Sequence, residues 1–170
     1  MKTQFSHNGN NHLNTSTILQ EIPIFHNLGK REIKLISQMI YVRWYQQQEI
    51  IYHEDDPGIG MFIIYKGAVK LYRKSGLNGQ EQISMLTQGD FFGEQSLLED
   101  NIRLTSAMAM EETCLLCILR PDLLRLIDRK PRVGNKLMFL LAQLITSRLH
   151  QQDEEMLQVR EKLANLEFIR

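Results

Sequence analysis

The sequence predicts a mainly β fold with flanking helices: a jelly-roll β-barrel followed by one long C-terminal dimerisation helix. Three observations predict it. Seven short apolar-rich runs, 41–45, 49–53, 61–65, 68–74, 81–87, 104–110 and 113–119, follow one another at close spacing. Turn signals separate many of them: Asp55-Asp56-Pro57-Gly58, Lys66-Gly67, Asn78-Gly79 and Gln88-Gly89-Asp90. Many short strands with such punctuation read as a sandwich or barrel, and Asn-Gly tolerates the positive φ of a hairpin turn. The third observation is a heptad pattern near the C-terminus.

Composition narrows the function classes. The chain has 170 residues, 43% hydrophobic and 24% charged, enough apolar surface for one folded domain and an added helix. Twenty Lys+Arg balance twenty Asp+Glu, so the basic excess of a nucleic-acid binder is missing, and no nucleic-acid partner is expected. The longest apolar run, 137–145, is nine residues and includes Gln143, whereas a membrane span needs about 20. With a polar N-terminus and no signal peptide, the expectation is a cytoplasmic protein with no membrane partner.

The elements follow in order. Residues 1–17 read as a disordered arm, 18–131 as the barrel domain with flanking helices, and 132–170 as the dimerisation helix. Ile33, Ile36, Met39 and Ile40 recur at helical spacing before the strands begin. After the last strand, Pro121 suits a first helical turn, and Leu123, Leu124 and Ile127 supply an apolar face. Pro131 ends that helix. The remaining 39 residues would span ~58 Å as a continuous helix, longer than a small barrel can cover. Ile145, Leu149, Gln152, Met156, Val159, Leu163 and Leu166 alternate steps of four and three, a coiled-coil seam with one polar member. A homodimer through this helix is the expectation, with an amphipathic helix folded onto its own barrel as the alternative.

Several constellations read as structural. Cys114 and Cys117 lie in an apolar strand on opposite faces, so they are core and neither a zinc site nor a redox pair. His53 beside Glu54-Asp55-Asp56 reads as a solvated turn closed by Pro57-Gly58. Arg120, Arg125, Arg129, Lys130, Arg132 and Lys136 form a basic cluster interrupted by Asp122 and Asp128, a solvated helix face. No nucleophile–base set stands at catalytic spacing. The chain is expected not to be an enzyme and to hold no metal or cofactor.

One segment stands apart: Gly89-Asp90-Phe91-Phe92-Gly93-Glu94-Gln95-Ser96-Leu97-Leu98, with Arg103 nine residues after Glu94. A short helix opening at Gly93-Glu94 would turn backbone N–H groups toward an anion, and an Arg can fork onto a phosphate. A Glu can accept from a sugar hydroxyl. On their own these charges fit equally a mutual Glu94–Arg103 ion pair. The segment resembles the phosphate-binding cassette of cyclic nucleotide-binding domains, G-D-x-F-G-E-x-[AS]-L-L followed by R-x-[AST]. The stretch 54–67 is similar to that family's glycine-rich turn and barrel strand, and the resemblance covers roughly residues 22–149.

The resemblance implies a cyclic nucleotide ligand, cyclic AMP or cyclic GMP. It implies that Glu94 binds the ribose 2′-hydroxyl and Arg103 the phosphate, with Gly93, Gln95, Ser96, Leu104 and Thr105 beside them. Leu71 and Ile83 match apolar walls beside the base. Leu104 departs from the family, where a small residue follows the Arg. Gln152, with Gln151 or Asp153, stands where polar residues of the dimer helix reach the adenine in regulators of the catabolite-activator type. Those regulators carry a helix-turn-helix after this helix, and here the sequence stops at Arg170. The reading is therefore a sensor that signals through dimer rearrangement or an unidentified protein partner. A ligand-free structural barrel and a transcription-regulator remnant are the competing readings.

Overall fold

The computed structural model describes residues 14–76 and 79–167. Two four-stranded antiparallel sheets face each other, in the orders β1-β8-β3-β6 and β2-β7-β4-β5. The first holds β1 (Ile40–Tyr45), β3 (Gly60–Lys66), β6 (Phe91–Phe92) and β8 (Thr113–Leu119). The second holds β2 (Ile50–Tyr52), β4 (Val69–Ser75), β5 (Gly79–Leu86) and β7 (Ser106–Ala109). Strand β6 was not visible in the periodicity, because two residues are too few to show a period. It pairs with β3 through Phe62–Phe92 and Ile63–Phe91. The hairpin signal at Asn78-Gly79 joins β4 to β5, though Asn78 lies outside the described residues.

Strands β3 and β8 read as continuous apolar runs because both of their faces are buried. Phe62, Ile64, Leu115 and Cys117 point between the sheets, where they meet Val69, Leu71, Leu86, Phe92 and Ala107. Met61, Ile63, Leu116 and Ile118 point outward, under the helices. Alternation thus divides one strand between two cores. Both cysteines are free and buried, as core residues should be.

The helices cover the outer core. Helix α1 (Thr15–Glu21) starts inside the expected arm, because the Asn14 side chain caps it by accepting from the Ser16 amide. The rest of the arm, 1–13, lies outside the described residues. Helix α2 (Lys30–Ser37) ends before Met39 and Ile40, which helical spacing had grouped with it; Ile40 opens β1 instead. Helix α3 (Gln95–Leu98) is one turn, and α4 (Arg120–Arg129) has Pro121 in its first turn. Helix α5 (Pro131–Glu167) begins at the proline that ends α4. Gly134 lets the two approach, since a Cβ there would meet the Ile127 backbone. Leu137, Leu140 and Leu141 of α5 are buried, whereas Leu149, Met156, Val159 and Leu163 are each more than half exposed. The folded body buries the first three turns and partly covers Leu144, Ile145 and Arg148, leaving the seam bare from Leu149 onward. The side chain of Leu166, its last member, is outside the described residues.

Candidate functional site

Arg103 is the centre of the site. It is only 5% exposed. Its Nη2 donates to the Gly60 carbonyl (2.8 Å), and its Nη1 to Ser96 Oγ (3.0 Å) and the Gly93 carbonyl (3.2 Å). The Ser96 hydroxyl in turn donates to Asn101 Oδ1 at 2.9 Å. The guanidinium carbon lies 4.3 Å from the centre of the Tyr52 ring, close enough for a cation–π contact. Tyr52, Phe62 and Phe92 form a ladder of rings with centroids 5.1–6.0 Å apart, a firm floor beneath the cation.

The backbone is held as tightly as the side chain. The Arg103 amide donates to the Asp56 carbonyl, and the Asp55 amide donates to the Arg103 carbonyl. The acidic turn is closed on itself, with Asp56 Oδ2 accepting from the His53 amide at 2.7 Å. No group of His, Cys, Asp and Glu among the described residues is arranged to hold a metal ion. Gly93 adopts φ +73°, and a Cβ on it would strike the Arg103 guanidinium. Only glycine meets both demands at that position.

Burial lowers the Arg103 pKa from its ordinary value, offset in part by the charges of Glu94 and Asp56. No carboxylate pairs with Arg103 among the described residues. The mutual ion pair that the sequence left open is therefore not formed. Glu94 instead has its carboxylate 3.7 Å from Arg148 on α5. Arg148 itself donates to the Phe91 carbonyl at 2.6 Å and lies over the Phe91 ring.

A cleft of about 190 Å³ opens onto Arg103. Gly93, Glu94, Gln95, Ser96, Leu104, Thr105 and Leu71, named from the sequence as ligand-binding candidates, all line it. Leu104 is 52% exposed at the rim, and its carbonyl accepts from Arg73 Nε.

Two expected residues are not in this lining. Ile83 is the extra residue of a bulge in β5, where the pairing steps from Leu71–Ser84 to Tyr72–Gln82, and it is 46% exposed. Gln152 lines a neighbouring groove between β5 and α5, which meets the cleft at Arg148. Tyr52, Arg73 and Arg148 are cleft residues that sequence reasoning missed. Tyr52 ends a three-residue strand and Arg148 sits beside the seam. Neither position carries a local signal of what it will face.

Comparison with known proteins decides the family. The family described as cyclic nucleotide-binding domain matches residues 42–130, just over half of the chain. The chain belongs to the cyclic nucleotide-binding domain family. The cyclic AMP receptor protein of Thermus thermophilus is 38% identical over 135 residues, covering 79% of this chain and 60% of that protein. The cAMP-dependent protein kinase regulatory subunit of Hypocrea atroviridis is 32% identical over 94 residues, 55% of this chain and 19% of that one. The chain thus spans three fifths or less of these relatives.

Solved cyclic nucleotide-binding folds agree. The Thermus thermophilus catabolite activator protein superposes with a TM-score of 0.61 at 36% identity, covering 79% of this chain and 61% of that one. A cyclic nucleotide-binding domain from Methylobacillus flagellatus gives 0.72 at 24% identity, over 84% and 80% of the two chains, a likeness of fold.

Proposed function

We propose that the protein is a cyclic nucleotide sensor, with cyclic AMP preferred to cyclic GMP, that dimerises through α5 and signals through that dimer or a protein partner. The observation that carries it is Arg103: a cation 5% exposed, held by three oxygens, facing a cleft and with no carboxylate paired to it among the described residues. A buried charge without a counter-ion is costly, and a singly charged cyclic phosphate would supply it. Glu94 stands on the same cleft to accept from a ribose hydroxyl. Leu71 offers an apolar wall for the base. The role is sensing rather than catalysis, in line with a matched family that is a binding domain.

Titration calorimetry of the full chain with cyclic AMP and cyclic GMP tests this. Binding of both is expected, with cyclic AMP the tighter. Arg103→Ala should cost ~2–5 kcal/mol of binding, roughly 30- to several-thousand-fold in Kd. Absence of heat and of thermal shift at millimolar cyclic AMP would leave the ligand-free barrel as the better reading.

A further inference from the structure

The charges that line the cleft exceed what a singly charged ligand would balance. Arg73, Arg103 and Arg148 stand on it against one carboxylate, Glu94. Glu94 has Arg148 within 3.7 Å, which leaves the guanidiniums of Arg73 and Arg103 with no carboxylate partner among the described residues. A cyclic mononucleotide carries one negative charge and would answer only one of them.

The two arginines differ in how they spend their N–H groups. A guanidinium has five. Arg103 gives three of them to the oxygens of Gly60, Gly93 and Ser96. Arg73 gives one, from Nε to the Leu104 carbonyl at 2.9 Å. Its Nη1 and Nη2 have no hydrogen-bond partner among the described residues. The side chain is thus anchored at its inner nitrogen, and the outer pair of a planar fork is left free. That pair can take two oxygens of one phosphate. Because Leu104 directly follows Arg103, the anchor ties Arg73 to the residue beyond the phosphate-binding arginine.

Strand β4 explains the placement. Leu71 is buried and lines the cleft, and Arg73 is the first exposed residue of the strand, so it stands at the mouth. The carboxylates of neighbouring elements do not occupy it. Glu81 pairs with Arg73 across the β4–β5 hairpin but makes no ion pair with it. Glu54 Oε2 accepts from the Lys74 amide at 3.2 Å, and Asp56 Oδ2 from the His53 amide.

We propose that Arg73 is a second phosphate-binding residue, and that the cleft takes a nucleotide with two phosphate groups, one on Arg103 and one at the mouth on Arg73. This rests on the nucleotide reading above and names the class of nucleotide. The second group is a bridging phosphodiester, as in a cyclic dinucleotide, or a terminal phosphate, as in a nucleoside bisphosphate. Either presents a pair of anionic oxygens to the free fork. Cyclic AMP fills the inner position alone.

Calorimetry on the full chain with cyclic AMP, cyclic di-AMP and adenosine 3′,5′-bisphosphate tests this. At least one of the two doubly phosphorylated ligands should bind roughly tenfold or more tighter than cyclic AMP. A gain with cyclic di-AMP alone assigns the outer position to a phosphodiester, and a gain with the bisphosphate alone to a terminal phosphate. Arg73→Gln should then weaken the favoured ligand roughly tenfold more than it weakens cyclic AMP. A preference that survives Arg73→Gln would overturn the assignment to Arg73.

Cyclic AMP binding by the same variant reports whether the cleft is intact. Where it is lost, Arg73→Lys is read instead, which keeps the charge and lacks the planar fork. Its preference should fall below that of the wild type, and an unchanged preference would overturn the role of the fork. Wild-type protein that binds cyclic AMP as tightly as the other two would overturn this inference and leave the proposed function standing. Wild-type protein that binds none of the three would remove both.

Discussion

Arg103 and Gly93 make a single device at the scale of the residue. The guanidinium fits where it does because Gly93 has neither a Cβ nor a preference for negative φ. Gly93→Ala is expected to lower stability by about 1–2 kcal/mol from the left-handed backbone alone. It should weaken cyclic AMP binding more than tenfold, because Arg103 must leave its carbonyl partners. Thermal denaturation and calorimetry read the two effects separately.

Cys114 and Cys117 give a residue-scale prediction of another kind. Burial pushes both thiols up to about 12, against an ordinary 9.0. The folded state therefore holds two protons that the unfolded chain releases first. Their contribution to stability is complete below pH 9 and is lost as pH rises from about 9 towards 12. Denaturant titrations at pH 8 and pH 10.5 should show that fall, and the native thiols should resist alkylation at pH 8 until the protein unfolds.

Between residue and molecule stand α5 and the groove it shares with β5. Gln152 is the polar member of the exposed seam and also lines that groove, so it faces two tasks. An amide in a dry seam costs stability, whereas an amide near the base can accept from the adenine amino group and donate to a ring nitrogen. Gln152→Leu is expected to strengthen the dimer. It should also weaken cyclic AMP binding and leave cyclic GMP nearly unchanged. Sedimentation and calorimetry on the two nucleotides check both arms, and equal effects on the two would reduce Gln152 to a residue that sets register. The bulge in β5 belongs to this scale too. Ile83, the unpaired residue of that bulge, is half exposed and outside the cleft lining, whereas Leu71, on β4, is part of it.

For the whole molecule the decisive quantity is apolar area without a partner. Leu149, Met156, Val159 and Leu163 are 51–56% exposed along a helix of 37 residues, about 55 Å. A second copy would bury them together. Replacing Met156 and Leu163 with Glu should yield monomers, because like charges would meet in the seam. Light scattering should give twice the chain mass for the wild type and the chain mass for the double variant. The proposed signal then has a physical route, since Arg148 lines the cleft at Arg103 and sits beside the seam.

The strands, their turns, the cassette from Gly89 to Arg103 and the bare length of α5 were legible in the sequence. Each is written in a local period, a turn residue or a spacing, and such patterns survive without knowledge of the fold. The short helix α1 and the two-residue strand β6 were not, because neither spans enough residues to show a period. The site divided along the same line. Glu94, Ser96 and Arg103 are neighbours in one motif, so the sequence could group them. Tyr52 and Arg148 are brought to that motif from distant elements, and Ile83, at a bulge of β5, stays outside the cleft lining. The tertiary structure alone decided that Glu94 faces Arg148 and not Arg103. That choice depends on where α5 crosses the barrel, which is set by packing of Leu137, Leu140 and Leu141 into the outer core, where Phe91 and Leu97 of the cassette meet residues distant in sequence.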